Sequence, residues 1–208
     1  GDEAVATPLG ASVAAYIIDD AVLQQTTAAT MVAGHTYYAM AYVMTSSWAG
    51  WKDTATLTLE ANSVTLASFA RPLSIERWRP VYGKYTAISS DAGKPIKIKL
   101  SYANTHTVED SNSGYMFIGY AYLSDTMPNE WPEKRQNVLV NGGFDDLSAF
   151  EAGYPALVQS IRSSDNWGGW FVDGVPAPTG WVYEVPSGYS LANKGGVWAS
   201  GMYGTPLP

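Results

Sequence analysis

Two pairs of tryptophans sit in segments whose small and polar neighbours suit a binding surface. Ser46-Ser47-Trp48-Ala49-Gly50-Trp51-Lys52-Asp53 lies between two strand-like runs, and Asp165-Asn166-Trp167-Gly168-Gly169-Trp170 falls in a Gly-rich stretch. Flat aromatic faces stack on the apolar side of a pyranose ring, while neighbouring amides and carboxylates reach its hydroxyls. Trp48, Trp51, Trp167 and Trp170 are therefore the candidate ligand contacts. The competing reading is that these rings cover the ends of a β-fold or meet a partner chain.

Catalysis finds little support. The chain has two histidines, His35 at a strand-opening turn and His106 in Asn104-Thr105-His106-Thr107. Neither stands in a Ser/Asp context or at metal-ligand spacing, so both read as solvated loop residues. Adjacent acids such as Asp19-Asp20 point to opposite faces of a strand and cannot flank a glycosidic bond unaided. Glu109, Asp110 and Asn112 begin like a calcium loop, but Gly114 occupies the next ligand position and no acid follows before Asp125. The expectation is a chain that is not an enzyme.

What must position the tryptophans is a β-scaffold. Ile96, Ile98 and Leu100 alternate with Lys97, Lys99 and Ser101, and Leu57 and Leu59 with Thr56, Thr58 and Glu60. This is the period of half-buried strands. The run from Thr36 to Thr45 is apolar on both faces and reads as a central strand packed on two sides. Asn62-Ser63 turns one strand into Val64–Phe69, and Asp91-Ala92-Gly93-Lys94 marks a turn before Pro95. Further strands are expected at 13–19, 21–25, 80–87 and 115–123, and a short helix within 147–161. Short strands at such spacing predict an all-β antiparallel sandwich.

The order of parts is unusual. Val140-Asn141-Gly142-Gly143-Phe144-Asp145 reads as the opening of a new β-domain, with Gly-Gly allowing a turn where side chains would clash, yet it lies two-thirds of the way along. Thr7-Pro8-Leu9 recurs as Thr205-Pro206-Leu207, 198 positions on (205 − 7). The organisation expected is a main sandwich part at 1–125, a Pro-containing linker at 126–137, and 138–208 completing the same or a neighbouring sandwich.

Val22-Leu23-Gln24-Gln25-Thr26, Ala33-Gly34-His35-Thr36-Tyr37, Trp78 with Tyr82 and Tyr85-Thr86-Ala87, Ala92–Ile96 and the closing run Tyr115–Leu123 together resemble the back of the galactose-binding-like jelly-roll β-sandwiches found among carbohydrate-binding modules. The front of that pattern, an Asn-Gly-Gly-Phe-acid strand and a later Gly-Trp, stands here at Asn141–Asp145 and Gly180-Trp181, in permuted order. The resemblance implies buried aromatics at Trp78 and Trp181. It also implies a structural calcium at Asp145 and Asp146, although Phe117-Ile118-Gly119-Tyr120 of the closing strand offers no acid.

Composition sets the remaining bounds. There are 19 acidic and 12 basic residues, a net charge of −7, and no cysteine. That argues against nucleic acid as a partner and excludes disulfides and thiolate metal sites. No apolar run reaches the roughly 20 residues of a membrane span. A polysaccharide or glycan is the expected partner, in an extracellular or cell-surface, bacterial setting. The alternative is a structural subunit of a filament or surface layer, self-associating head to tail by β-strand exchange of residues 138–208.

Overall fold

Alternating apolar and polar residues become strand wherever turn chemistry brackets them. The computed structural model describes residues 13–18, 21–45, 54–74, 77–103, 115–125, 137–144, 146–151, 177–185, 187 and 195–199. Its strands are β1 (Val13–Ile18), β2 (Val22–Thr30), β3 (Thr36–Met44), β4 (Thr54–Ala61), β5 (Val64–Pro72), β6 (Arg79–Thr86), β7 (Pro95–Ala103), β8 (Tyr115–Ser124), β9 (Val182–Glu184) and β10 (Gly195–Ala199). A single helical turn, α1, spans Ser148–Glu151. The rest of the helix expected within 147–161 lies outside the described residues.

Every strand pairing is antiparallel. One sheet runs β10-β1-β8-β3-β6 and the other β5-β4-β7-β2-β9. The fold is thus the antiparallel β-sandwich expected of the sequence. Asn62 and Ser63 both take positive φ, 48° and 63°, closing the β4–β5 hairpin as a two-residue turn whose twist suits the strands it joins. Ile17, Leu23, Leu57, Leu59, Ile98 and Leu100 are sealed from solvent between the sheets, while Thr56, Thr58, Lys97 and Lys99 lie half-buried on the alternate face. Glu60 shares that polar face, 3.8 Å from Lys97 Nζ and 3.4 Å from Lys99 Nζ.

Within the first sheet, β1 and β8 and most of β3 are buried on both sides. Tyr37, Ala39, Ala41 and Val43 of β3 enter the inter-sheet core, and Met40 and Tyr42 enter a second cluster with Tyr16, Trp78, Tyr115, Phe117, Tyr120 and Tyr122. All ten residues of β8 are buried. The two-sided packing read for residues 36–45 is therefore present, and it extends to β1 and β8.

The segments beyond residue 137 supply the missing flank. β9 pairs with β2, Val22 opposite Glu184, and β10 pairs with β1, Val13 opposite Ala199. Residues 137–144 form a plug beside β8 in which Leu139, Gly142 and Phe144 are buried and Val140 is exposed. Val138 N–H donates to Leu123 O at 2.8 Å, and Ala121 N–H to Gly142 O at 2.8 Å. Gln25 brackets Val140, its Oε1 accepting the Val140 N–H at 2.7 Å and its Nε2 donating to Val140 O at 2.8 Å. Asn137 Oδ1 accepts from Leu123 N–H and Leu139 N–H, and its Nδ2 donates to Ala121 O.

The Asn-Gly-Gly-Phe motif works differently from the turn expected of its glycines. Positive φ falls on Asn141 (52°) and Phe144 (61°), not on Gly142 or Gly143. Gly142 is required for proximity, since a Cβ there would overlap the Ala121 carbonyl oxygen and come within 2.6 Å of Asn137 Nδ2. The left-handed conformation of Phe144 costs on the order of 1–3 kcal/mol. Its ring is wholly buried, with its centroid 5.1 Å from that of Trp181, whose Nε1–H donates to Asn141 O at 3.0 Å. Burial of a ring that size contributes about 1.5–3 kcal/mol, enough to offset the strain.

Phe144→Ala should lower the unfolding free energy by about 3–5 kcal/mol in urea titration. A native midpoint in that variant would mean the plug is not part of the core.

Candidate functional site

The described residues leave the candidate contacts Trp48, Trp51, Trp167 and Trp170 outside them, together with Asp145 and His106. Of the implied calcium pair only Asp146 is described. Its Oδ1 accepts the Ser148 N–H at 2.9 Å at the start of α1, and its own N–H and carbonyl bond the Asn141 side chain. Among the described residues no group of three or more His, Asp or Glu is placed to hold a metal ion. Trp78 and Trp181 are each 4% exposed, in keeping with the core roles implied for them.

The site that emerges lies on the outer face of the first sheet, where burial fades across the strands. Outward positions of β1 and β8, such as Tyr16 and Tyr122, are sealed. On the edge strand β6 they open, and Tyr82 is 62% exposed. Register places Tyr82 opposite Met40 and Met40 opposite Tyr122, and in the next row Lys84 opposite Tyr38 and Tyr38 opposite Ser124. Tyr38 and Tyr82 are therefore diagonal neighbours about 7–8 Å apart, close enough for both rings to contact one ligand. Tyr38 is half-buried and Lys84 exposed.

Polar groups close one end of this platform. Thr36 and Thr86 face each other with hydroxyl oxygens 2.8 Å apart. His35 Nδ1 stands 3.3 Å from Asp125 Oδ2, both side chains about half exposed, at 50% and 47%. Two phenol rings, a hydroxyl pair and an ammonium lie within three rows of one sheet face, and the His35–Asp125 pair flanks the strand ends at positions that alternate away from that face. Such a set grips a polyhydroxylated ring through stacking and hydrogen bonds. Among the described residues no Ser or Thr hydroxyl is hydrogen-bonded to His35, as nucleophile activation would require.

Beside the platform the same outer face carries a cluster of buried aromatic rings. Burial drives the Tyr16 phenol pKa far up, with Tyr115 adding to it, and raises Tyr42 and Tyr120 by the same cause. These phenols stay neutral. Rings of Tyr16, Tyr115 and Phe117 lie 6.0–6.3 Å apart, Tyr115 and Phe117 stacked at 12°. Where β6 ends, the Tyr85 hydroxyl donates to Asp91 Oδ2 at 2.7 Å and the Ile88 N–H to the same oxygen at 3.0 Å. The Tyr85 bond, then the Ile88 amide, hold the Asp91 carboxyl below its ordinary pKa.

Sequence reasoning missed Tyr82 and Tyr38 because it treated Tyr82 as part of a fold pattern and 36–45 as uniformly covered. The available signal was the alternation Val81, Gly83, Tyr85 against Tyr82, Lys84, Thr86, which marks β6 as one-sided.

No family model matches this chain, and no curated protein does. Among solved structures it is similar to a Stig cyclase from Fischerella sp. TAU in complex with (3Z)-3-(1-methyl-2-pyrrolidinylidene)-3H-indole, at 15% identity and TM-score 0.39, over 50% of this chain and 56% of that one. A CBM4 structure aligns at 14% identity and TM-score 0.37, over 50% and 59%. An apo cyclase from Fischerella sp. aligns at 15% identity and TM-score 0.36, over 50% and 54%. The matched region thus spans little more than half the length of each of these chains. The sandwich assignment rests on the strands themselves.

Because the folded Asp91 pKa is depressed, its contribution is present above the unfolded value near pH 4 and lost as pH falls through the folded one. Asp91→Asn should therefore be less stable than the parent chain at pH 7, with the gap narrowing at pH 3. Urea titrations at both pH values read this, and a constant gap would remove the carboxylate from the account.

Proposed function

We propose that this chain is a non-catalytic glycan-binding module, a galactose-binding-like sandwich with its parts in permuted order, acting outside the cell or at its surface. The observation that carries the reading is the exposed Tyr82 beside Tyr38 on the outer face of the first sheet. Aromatic rings on a sheet face present stacking planes at fixed spacing, and the Thr36–Thr86 hydroxyls and the Lys84 ammonium supply directional polar contacts on the same face.

The loop tryptophans belong to the same reading. Met44 at the end of β3 pairs with Phe117 of β8, so the segment carrying Trp48 and Trp51 departs from strands at the aromatic end of the sheet. These tryptophans would act as further stacking contacts, and Trp167 and Trp170 as a second pair. The net charge of −7 favours neutral glycans over polyanionic ones, which the field of the chain would repel. A structural calcium at Asp145 and Asp146 belongs to this reading as a stabilising ion rather than a ligand contact.

Affinity electrophoresis against a panel of neutral polysaccharides, followed by calorimetry on any hit, tests the proposal. Tyr82→Ala should weaken binding about tenfold or more, equivalent to about 1.4 kcal/mol, with the urea midpoint unchanged. Trp48→Ala combined with Trp51→Ala should weaken it further. No retarded polysaccharide, or a hit whose affinity survives all three changes, would count against it.

A further inference from the structure

The two sheets treat their lysines differently. On the outer face of the second sheet, Lys97 Nζ lies 3.8 Å and Lys99 Nζ 3.4 Å from Glu60, and Lys99 Nζ also lies 3.8 Å from Glu184. Each ammonium there has a carboxylate beside it. Lys84, exposed on the outer face of the first sheet, has no such partner among the described residues.

The lack of a partner is written into the strands. β10, β1, β8, β3 and β6 carry no Asp or Glu between them, in a chain with 19 acidic residues. Their two charged residues are Arg79 and Lys84, and Arg79 stands opposite Val43 of the inter-sheet core. Acids at the strand ends are committed elsewhere, Asp125 to His35 and Asp91 to the Tyr85 hydroxyl and the Ile88 N–H. Among the described residues, Lys84 is therefore the one charge at an outward position of this sheet. Tyr82 lies two residues back on the same strand face, about 7 Å along it. Tyr38 is directly opposite Lys84, and the Thr36–Thr86 hydroxyls form the next row.

An exposed ammonium gains little by pairing with a free anion, because both partners must give up mobility. A carboxylate carried on a sugar already stacked on Tyr82 or Tyr38 is held in place by those ring contacts, and its bond to the Lys84 ammonium is charge-assisted. The field of the chain repels a ligand charged at every unit. A single carboxylate meets Lys84 instead, since charges beyond about 8 Å are largely screened at physiological salt.

We infer that Lys84 makes this platform selective for a glycan of otherwise neutral units carrying an occasional uronic acid, with the carboxylate on the ammonium and the sugar rings on Tyr82 and Tyr38. The inference rests on the glycan reading of the same face and names the class of sugar it takes.

Glucuronoxylan, gum arabic and gellan fragments are each titrated into the full chain by calorimetry beside their carboxyl-reduced forms, in which the uronic acid has become the neutral hexose. At least one acidic form should bind about fivefold or more tightly than its reduced form. Added salt should shrink that ratio. Lys84→Gln should bring it close to one, and Lys84→Arg should keep it. Reduced forms that bind as well as the acidic ones, or a ratio that survives Lys84→Gln, overturn the inference and leave the glycan reading standing. Binding of neither form of any of the three removes both. Poly-glutamate binding as tightly as the best acidic polysaccharide also overturns the inference, since Lys84 would then read a bare anion rather than a sugar.

Discussion

The sandwich depends on two side-chain amides that hold an irregular segment where a strand would otherwise be needed. A buried backbone must find partners for its N–H and carbonyl groups, and residues 137–142 find many of theirs in Asn137 and Gln25. Gln25 is 2% exposed and offers Val140 both a donor and an acceptor, the pair of bonds a neighbouring residue in a ladder would supply. Asn137 does the same for Leu123 and Ala121, extending the bonding of β8 without a strand beside it. Losing either amide would strand buried polar groups rather than merely subtract a bond, which makes these two positions costlier than their size suggests. Once this segment is seated, Leu139, Phe144 and Trp181 fill the core between β2 and β8.

The first sheet carries an asymmetry that links packing to function. Its inner positions are mostly aliphatic, with Tyr37 and Tyr85 as exceptions, while its outer positions on β1, β3 and β8 are rich in aromatics. Tyrosines on the outer face are sealed along β8 and open along β6, so one chemical surface is core at one side and open to solvent at the other, where the proposed glycan platform lies. Tyr82 faces Met40, which faces Tyr122, and Tyr122 is wholly buried, so the accessible ring stands in a row that begins in the interior.

Much of the scaffold was legible in the sequence, because strand alternation and turn chemistry are local. Ile96, Ile98 and Leu100 against Lys97 and Lys99, the Asn62-Ser63 turn and the two-sided run at 36–45 are each written in adjacent residues. Trp78 and Trp181 were placed in the core by resemblance and lie there. The platform was not legible, since the exposure of Tyr82 depends on β6 being an edge strand, and strand order is not a local property. The role of Gly142 was misjudged for a similar reason. Its need for glycine comes from the Ala121 carbonyl some twenty residues away, whereas the turn it was thought to make is carried by Asn141 and Phe144. The loop tryptophans fall outside the described residues, so their part in binding stays with the proposal.

The seam between the sheets bears on how such a molecule can meet others. Its two longest edge strands, β5 and β6, belong to different sheets and lie against each other. The Phe69 ring covers Gly83 so closely that no side chain fits there, and the Arg71 guanidinium donates to Pro80 O at 3.0 Å. The opposite edges are β9 and β10, three and five residues long. Long, flat, unguarded edges invite indiscriminate strand addition, and here the long ones are stitched together while the free ones are short. Among the described residues no long edge strand is left open, so strand addition has only three and five residues to build on.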